Sequence, residues 1–178
     1  MSDGDIDAVN LALLVFRCGI GAVMLAHGIN HIFGGGKIAG TARWFASLGM
    51  RPGILHAWLA SLVEVGGGSM LVLGLLTPFA GAAVIGTLGV ALITNHRGNG
   101  FFIFRPGEGW EYVMTLIVCG FAIAVLGAGE WSLDEALDIR EDLVGGPGLV
   151  IALVAGVGGV VGLLAGFWRP PPPKEPSA

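Results

Sequence analysis

The chain has 178 residues, of which 54% are hydrophobic and only 12% are charged, and its net charge at pH 7 is −4. Soluble domains carry roughly 25% charged residues, so the long apolar stretches predict membrane spans of about 20 residues each and exclude an ordinary soluble domain. The acidic segment 1–10 lacks the basic region of a secretory signal, and no basic run suited to nucleic acid follows it.

Apolar segments separated by charged loops predict an all-α membrane protein. They cover residues 11–33, 54–76, 78–95, 109–128 and 144–168. The second and third segments are joined only by "LLTP". In that turn we expect Thr77 to cap the third helix and Pro78 to lie in its first turn, where a missing N–H costs nothing. This predicts a tight antiparallel hairpin.

Two loops predict short interfacial helices. Residues 41–49 have Thr41 as the expected cap, and residues 132–143 begin with a capping box in which Ser132 is followed three residues later by Glu135. Three side chains of the first of these helices are expected to dip into lipid: Trp44, Phe45 and Leu48.

The fifth span, residues 144–168, differs from the others in its glycine content. Gly158, Gly162 and Gly166 recur at a spacing of four, which lets another helix approach backbone to backbone, in this chain or in a partner. The Pro-rich tail, residues 169–178, is predicted to be extended.

The distribution of basic residues predicts the orientation, because Lys and Arg concentrate in cytoplasmic loops. With the N-terminus outside, the outer segments contain only Arg140. The inner segments contain Lys37, Arg43, Arg51, Arg97, Arg105, Arg169 and Lys174. We therefore predict an N-terminus outside and a C-terminus in the cytoplasm.

Two ionisable residues lie well inside predicted spans, where such groups are costly and mark functional sites. Arg17 lies in the first span and Glu64 near the middle of the second. One interpretation is an ion pair that locks the two helices together. The other is that Glu64 exchanges a proton or hydrogen-bonds a quinone while Arg17 tunes its charge, which makes both residues catalytic candidates.

The histidines are expected near the inner ends of the spans, His56 among them. His27, His31, His96 and Glu111 are the candidates for a polar pocket that binds a cofactor or a headgroup. The HxxxH spacing of the first two would also suit a metal, but alone it is weak evidence, and no metal site is predicted. No flavin fingerprint, haem motif or cysteine cluster is present, and Cys18 and Cys119 are expected to be gap-filling thiols.

Three stretches together resemble the DoxX family of small membrane proteins. They are "FRCGIGAVMLAHGINHIF", "LVEVGGGSMLVLGLLTPFAG" and "GAGEWSLDEAL", and the likeness covers about residues 11–138. The matching positions are Arg17, His27, Gly28, Glu64 and Ser132–Asp134. The resemblance implies a four-helix transmembrane bundle, to which residues 144–168 add a further helix.

The family resemblance also directs the functional hypotheses. Relatives include membrane subunits of thiosulfate:quinone oxidoreductase, and a mycobacterial member is associated with a superoxide dismutase and a sulfurtransferase. We therefore expect a subunit of a redox or oxidative-stress complex in the bacterial plasma membrane, linked to quinone and to other membrane or peripheral redox proteins. The alternatives are a non-catalytic accessory or scaffold subunit of a larger respiratory membrane complex and, third, a small transporter. Whether the chain catalyses a step itself stays open.

Overall fold

The polypeptide is helical over most of residues 3–171, which are the residues that the computed structural model describes. In chain order the α-helices are α1 (Asp3–Phe33), α2 (Lys37–Ser47), α3 (Gly53–Leu73), α4 (Thr77–Ala91), α5 (Glu111–Leu126), α6 (Leu133–Ala136), α7 (Arg140–Leu143), α8 (Gly146–Ile151) and α9 (Gly158–Phe167). Helix α4 continues into a π-helical stretch, Leu92–His96, and a second one, Ala152–Val157, joins α8 to α9. We call residues 146–167 the C-terminal helix. Residues 172–178 of the predicted tail lie outside the described residues.

The membrane class predicted from the sequence is confirmed. Among the described residues, four helices are long and apolar enough to cross a membrane: Gly4–Phe33, Gly53–Leu73, Thr77–Asn99 and Gly146–Phe167. The remaining predicted span, 109–128, corresponds to α5, which is apolar but has only 16 residues. At helical rise it is about 24 Å long, somewhat less than the hydrocarbon core of a bilayer.

Helix α1 begins earlier than residue 11, where the first span was expected to start. It has 31 residues and is about 46 Å long, so it extends beyond a hydrocarbon core of about 30 Å. The residues before position 11 contain no proline, and their carboxylates, such as that of Asp7, favour a helix N-terminus. Residues 3–10 of the acidic segment are therefore an extension of the first helix.

Glycines let the long helices pack backbone to backbone. Helix α1 packs along α3, while α5 and the C-terminal helix both pack on α4. A Cβ atom at Gly21 would lie 2.8 Å from the carbonyl oxygen of Gly68, and one at Gly81 would lie 2.7 Å from that of Gly120. These contacts hold α1 against α3 and α4 against α5 at distances that a larger residue would not allow.

Arg17 fastens the end of α3 instead of pairing with an acid. Its side chain is buried, and Nη1 donates to the carbonyl oxygens of Leu71, at 2.9 Å, and of Val72. Nη2 donates to the carbonyl oxygen of Trp131. A helix C-terminus has carbonyls without intrahelical partners and carries partial negative charge, so it is a favourable site for a buried guanidinium.

Asp134 fastens the start of α4 in the complementary way. Its carboxylate, 1% exposed, accepts hydrogen bonds from the backbone N–H groups of Leu76, at 2.6 Å, and Thr77, at 3.0 Å. Its own N–H donates to the carbonyl oxygen of Gly74 at 2.8 Å. We call Arg17, Asp134 and the turn 74–77 the hairpin clasp. The tight hairpin is confirmed, but the expectation that Thr77 caps α4 is wrong, because the capping group comes from a distant carboxylate.

The two short interfacial elements differ in detail from their predicted forms. Helix α2 begins at Lys37, so Thr41 lies inside it and its hydroxyl donates to the carbonyl oxygen of His31 at 2.9 Å. The segment 132–143 forms α6 and α7 with a break at Asp138, whose φ is +57°. The Ser132 cap is confirmed, since its Oγ accepts from the N–H of Glu135 at 3.2 Å.

The end of the C-terminal helix is tied to the loop between α2 and α3. Trp168 donates its indole N–H to the carbonyl oxygen of Leu48 at 3.0 Å, and the backbone N–H of Arg169 donates to that of Gly49 at 2.8 Å. The guanidinium of Arg97 lies 5.6 Å from the ring centroid of Trp168. These contacts form a C-terminal strap that fixes the last helix beside α2 and α3.

Candidate functional site

A cavity of about 570 Å³ lies at the end of the bundle where α2 meets α1 and α3. Small-molecule sites typically measure about 300–1,000 Å³, so this volume is sufficient for an organic ligand. Its wall is mainly apolar, with Leu59, Val63 and Ala83 as examples. The polar side chains that line it include His27, His31, His56, Glu64, Thr87, Thr94, Asn95, His96, Glu108 and Tyr112.

The carboxylate of Glu64 faces the interior of the protein, as predicted. The residue is 4% exposed, and its Oε2 lies 3.0 Å from Nδ1 of His31 across the contact between α1 and α3. The two atoms meet the distance of a hydrogen bond but not its alignment, and neither has a hydrogen-bond partner among residues 3–171. We call them the Glu64–His31 pair. Both atoms therefore keep hydrogen-bonding capacity in a buried, ligand-sized space, where it is costly to leave unused.

Gly28 makes this approach of α1 to α3 sterically feasible. A Cβ atom at Gly28 would lie 2.9 Å from the carbonyl oxygen of Ser61 and 3.0 Å from Cβ of Glu64. His31 follows Gly28 by three residues, on the same side of α1. The glycine therefore brings the imidazole within reach of the carboxylate.

His56 is a second buried polar group in the same wall. It is 4% exposed, its Nε2 has no hydrogen-bond partner in the described chain, and its ring contacts that of Phe167 at a centroid distance of 5.1 Å. It precedes Glu64 by eight residues on α3, which is about 12 Å along the helix axis. The sequence had placed His56 near the inner face without assigning it to the pocket.

The other two predicted pocket histidines line the cavity but already have partners. His27 Nδ1 lies 3.0 Å from the carbonyl oxygen of Val23 in its own helix. His96 Nδ1 lies 2.9 Å from the carbonyl oxygen of Glu108 in the loop before α5. His96 ends the π-helical stretch Leu92–His96, and such stretches occur frequently at functional sites.

Two predicted site residues lie elsewhere. Glu111, at the start of α5, is not among the residues that line the cavity, whereas its neighbours Glu108 and Tyr112 are. Arg17 is held at residues 71–72 of α3, which is about 11 Å along the helix from Glu64. The expected proximity of Arg17 to Glu64 is therefore wrong, because carbonyls at the end of α3 bind the guanidinium and His31 takes the place beside the acid.

Aromatic residues of α2 close the cavity on one side. The rings of Trp44 and Phe45 stack at a centroid distance of 5.0 Å, and the ring of Phe45 meets His31 edge-on at 5.9 Å. Trp44, Phe45 and Leu48 had been expected to dip into lipid, yet all three line the cavity. Trp44 is also 43% exposed, so it contacts both the cavity and the surroundings.

The chemistry available at this site is proton exchange and hydrogen bonding in an apolar space. Among residues 3–171, no group of three or more His, Cys, Asp and Glu side chains is arranged to hold a metal ion. Cys18 and Cys119 are both free thiols. A carboxylate 3.0 Å from an imidazole can pass a proton to a bound oxygen atom, and the apolar wall around it strengthens each polar contact.

The fold and this site define a helical membrane protein with a buried carboxylate–imidazole pair in an apolar cavity. Residues 12–97 match the DoxX family model. This segment contains Arg17, Gly28 and Glu64, and its match confirms the likeness to the DoxX family that the motifs predicted. The predicted likeness to residue 138 extends beyond the matched residues. No curated protein and no solved structure matches the chain significantly.

Proposed function

We propose that the chain is a membrane subunit of a redox complex and that its cavity binds the head of a quinone. The observation that carries this proposal is the Glu64–His31 pair, whose buried polar atoms face a largely apolar space of about 570 Å³. A quinone has the matching chemistry, because its carbonyl oxygens need hydrogen bonds and a proton source while its ring and tail need apolar surroundings.

The proposed role of the pair is to exchange protons with the quinone. Reduction of a quinone to a quinol takes up two electrons and two protons. Glu64 and His31 transfer protons to the carbonyl oxygens or take them back, while the electrons come from a partner redox protein. A partner is required because the sequence contains no flavin fingerprint or haem motif.

Quinone binding to the purified full chain tests this proposal. We expect Glu64→Gln, which keeps the shape of the side chain but leaves it no proton to exchange, to weaken binding about tenfold, since an unsatisfied buried hydrogen-bonding group costs roughly 1–3 kcal/mol. Glu111→Gln is the matched control, because this carboxylate lies outside the cavity lining. Binding can be followed by quenching of tryptophan fluorescence, since Trp44 lines the cavity.

Two results would overturn the proposal. One is a wild-type protein that binds no quinone in detergent or in lipid nanodiscs. The other is a Glu64→Gln variant that binds quinone as tightly as the Glu111→Gln control does.

We also propose the bacterial plasma membrane as the location, with the N-terminus outside and the C-terminus in the cytoplasm. The bias of Lys and Arg towards one set of loops supports this orientation. Lipids and other membrane or peripheral redox proteins are the proposed partners, and the acidic segment that carries α6 and α7 would then lie on the outer surface.

An accessory or scaffold role is the second candidate, and the glycine face of the C-terminal helix favours it. Gly158, Gly162 and Gly166 are exposed, and a Cβ atom at either of the last two would meet no atom of the described chain within 4 Å. Another helix could therefore pack against this face. Native mass spectrometry of gently solubilised membranes should show a complex that Gly162→Leu weakens. Wild-type protein that runs as a lone monomer would argue against this role.

A further inference from the structure

We propose that the opening between α3 and the C-terminal helix, beside Gly159, is the passage for the apolar tail of the quinone. This inference rests on the proposed function and deepens it, because it assigns a second part of the ligand to residues beyond the segment that matches the family. It makes the ligand a tailed, membrane-dissolved quinone and not a water-soluble one.

The cavity reaches the molecular surface at this place. Helix α3 and the C-terminal helix both pack on α4, which forms the floor between them. Leu59 on α3 and Gly159 on the C-terminal helix are both exposed, and both also line the cavity. Gly159 precedes the end of that helix by eight residues, or about 12 Å, so the opening lies at the depth of the hydrocarbon core.

The opening is unobstructed because residue 159 is a glycine and has no side chain. The C-terminal helix contacts α4 through Gly156, whose added Cβ would lie 3.0 Å from Ile85, and through Val160, which would lie 2.6 Å from a Cβ at Gly89. Gly159 is about 100° around the helix from Val160, and a Cβ there would meet no described atom within 4 Å. A larger residue at 159 would therefore project into space that is now empty.

The polar end of the same cavity independently indicates a ligand. Glu64 and His56 are each 4% exposed, line the cavity and have a polar atom without a hydrogen-bond partner among the described residues. Between them and the opening, the wall supplied by the C-terminal helix is apolar: Ala155, Gly159 and Leu163. A polar head joined to an apolar tail fits this division, whereas a charged, water-soluble substrate would lack partners along the passage.

The test compares two probes, a benzoquinone without a tail and the same head carrying several isoprenoid units, on the purified full chain in nanodiscs. We expect Gly159→Leu to weaken binding of the tailed quinone about tenfold or more and to leave the tailless quinone within about twofold of wild type. Gly162→Leu is the matched control, because this glycine is equally exposed and free of contacts but does not line the cavity. It should change neither affinity. Gly159→Ala, which adds a single methyl group, should give a smaller loss if the leucine variant does not fold.

The outcomes separate this inference from the proposed function. If Gly159→Leu and Gly159→Ala bind the tailed quinone as wild type does, the passage is overturned while quinone binding stands. If Gly159→Leu weakens both probes equally, the residue belongs to the head site and the passage is again overturned. A wild-type protein that binds neither probe overturns the proposed function and this inference with it.

Discussion

The buried polar residues fall into two groups that differ in how completely they are hydrogen-bonded. Asp134 and two nitrogens of Arg17 bind backbone groups at the ends of α3 and α4. Glu64 and His56 are equally buried and keep atoms without partners in the described chain. Groups of the first kind stabilise the fold, whereas groups of the second kind cost stability unless water or a ligand supplies the missing hydrogen bond.

Replacement of Arg17 should therefore affect stability before it affects binding. Arg17→Met leaves the carbonyls of Leu71, Val72 and Trp131 without their donor, at about 1–3 kcal/mol for each buried group. We expect the free energy of unfolding to fall by about 3 kcal/mol or more, measured by denaturant titration in detergent.

Arg140→Gln provides the control, since Arg140 is a partly exposed arginine paired with Glu135, and such pairs contribute about 0–1 kcal/mol. An Arg17→Met protein that is as stable as wild type but no longer binds quinone would contradict the assignment of Arg17 to stabilising the fold. It would indicate that Arg17 contributes to the ligand site.

Gly28 provides a prediction that links packing to the site. Gly28→Ala should force α1 away from Ser61 and Glu64 and so weaken both stability, by about 1–3 kcal/mol, and quinone binding. Gly19→Ala on the same helix, where an added Cβ meets nothing within 4 Å, should be neutral in both measurements. Equal behaviour of the two variants in thermal unfolding would show that the close approach at Gly28 is not needed.

The sequence alone identified Arg17 and Glu64 as unusual residues, but it did not identify the groups that they contact. Hydropathy singled out Arg17 and Glu64, because a charge inside an apolar run is visible without a structure. Their partners depend on how far α1 slides along α3, and that offset is set by glycine contacts such as Gly21 with Gly68, which spacing within one helix does not reveal. His31 was for this reason assigned to a separate pocket, although it meets Glu64.

At the scale of elements, the sequence predicted the positions of the helices more accurately than the residues at which they end. The predicted spans match the observed helices because apolar runs of this length leave few alternatives. The ends depend on contacts from distant segments. Asp134 caps α4 across 57 residues of sequence, and the C-terminal strap joins Trp168 to Leu48 across 120. Capping rules that consider only neighbouring residues assigned the first of these roles to Thr77.

The strap should restrain the end of the C-terminal helix. Trp168→Phe keeps an aromatic ring near Arg97 but removes the hydrogen bond to Leu48, which contributes about 0.5–1.5 kcal/mol. We expect faster hydrogen exchange at residues 163–169 with little change at α1. Exchange rates that match those of wild type would show that the strap does not restrain this end.

At the scale of the whole molecule, the proposed orientation can be tested by labelling. In a background with Cys18→Ser and Cys119→Ser, an Asp142→Cys variant should react with a membrane-impermeant thiol reagent in intact cells. An Arg105→Cys variant should react only after the cells are opened. The reverse pattern would contradict the orientation that the basic residues predict.

The hairpin clasp has a consequence for how the protein is made. Arg17 is synthesised before its acceptor at Trp131 and before the carboxylate of Asp134, which both follow more than a hundred residues later. Until residues 131–134 have left the ribosome, the guanidinium of Arg17 lacks its acceptor at Trp131. The N–H groups of Leu76 and Thr77 at the start of α4 likewise lack the carboxylate of Asp134. We therefore expect a polypeptide halted near residue 100 to be a substrate for quality-control proteases, even though it contains the whole segment that matches the family.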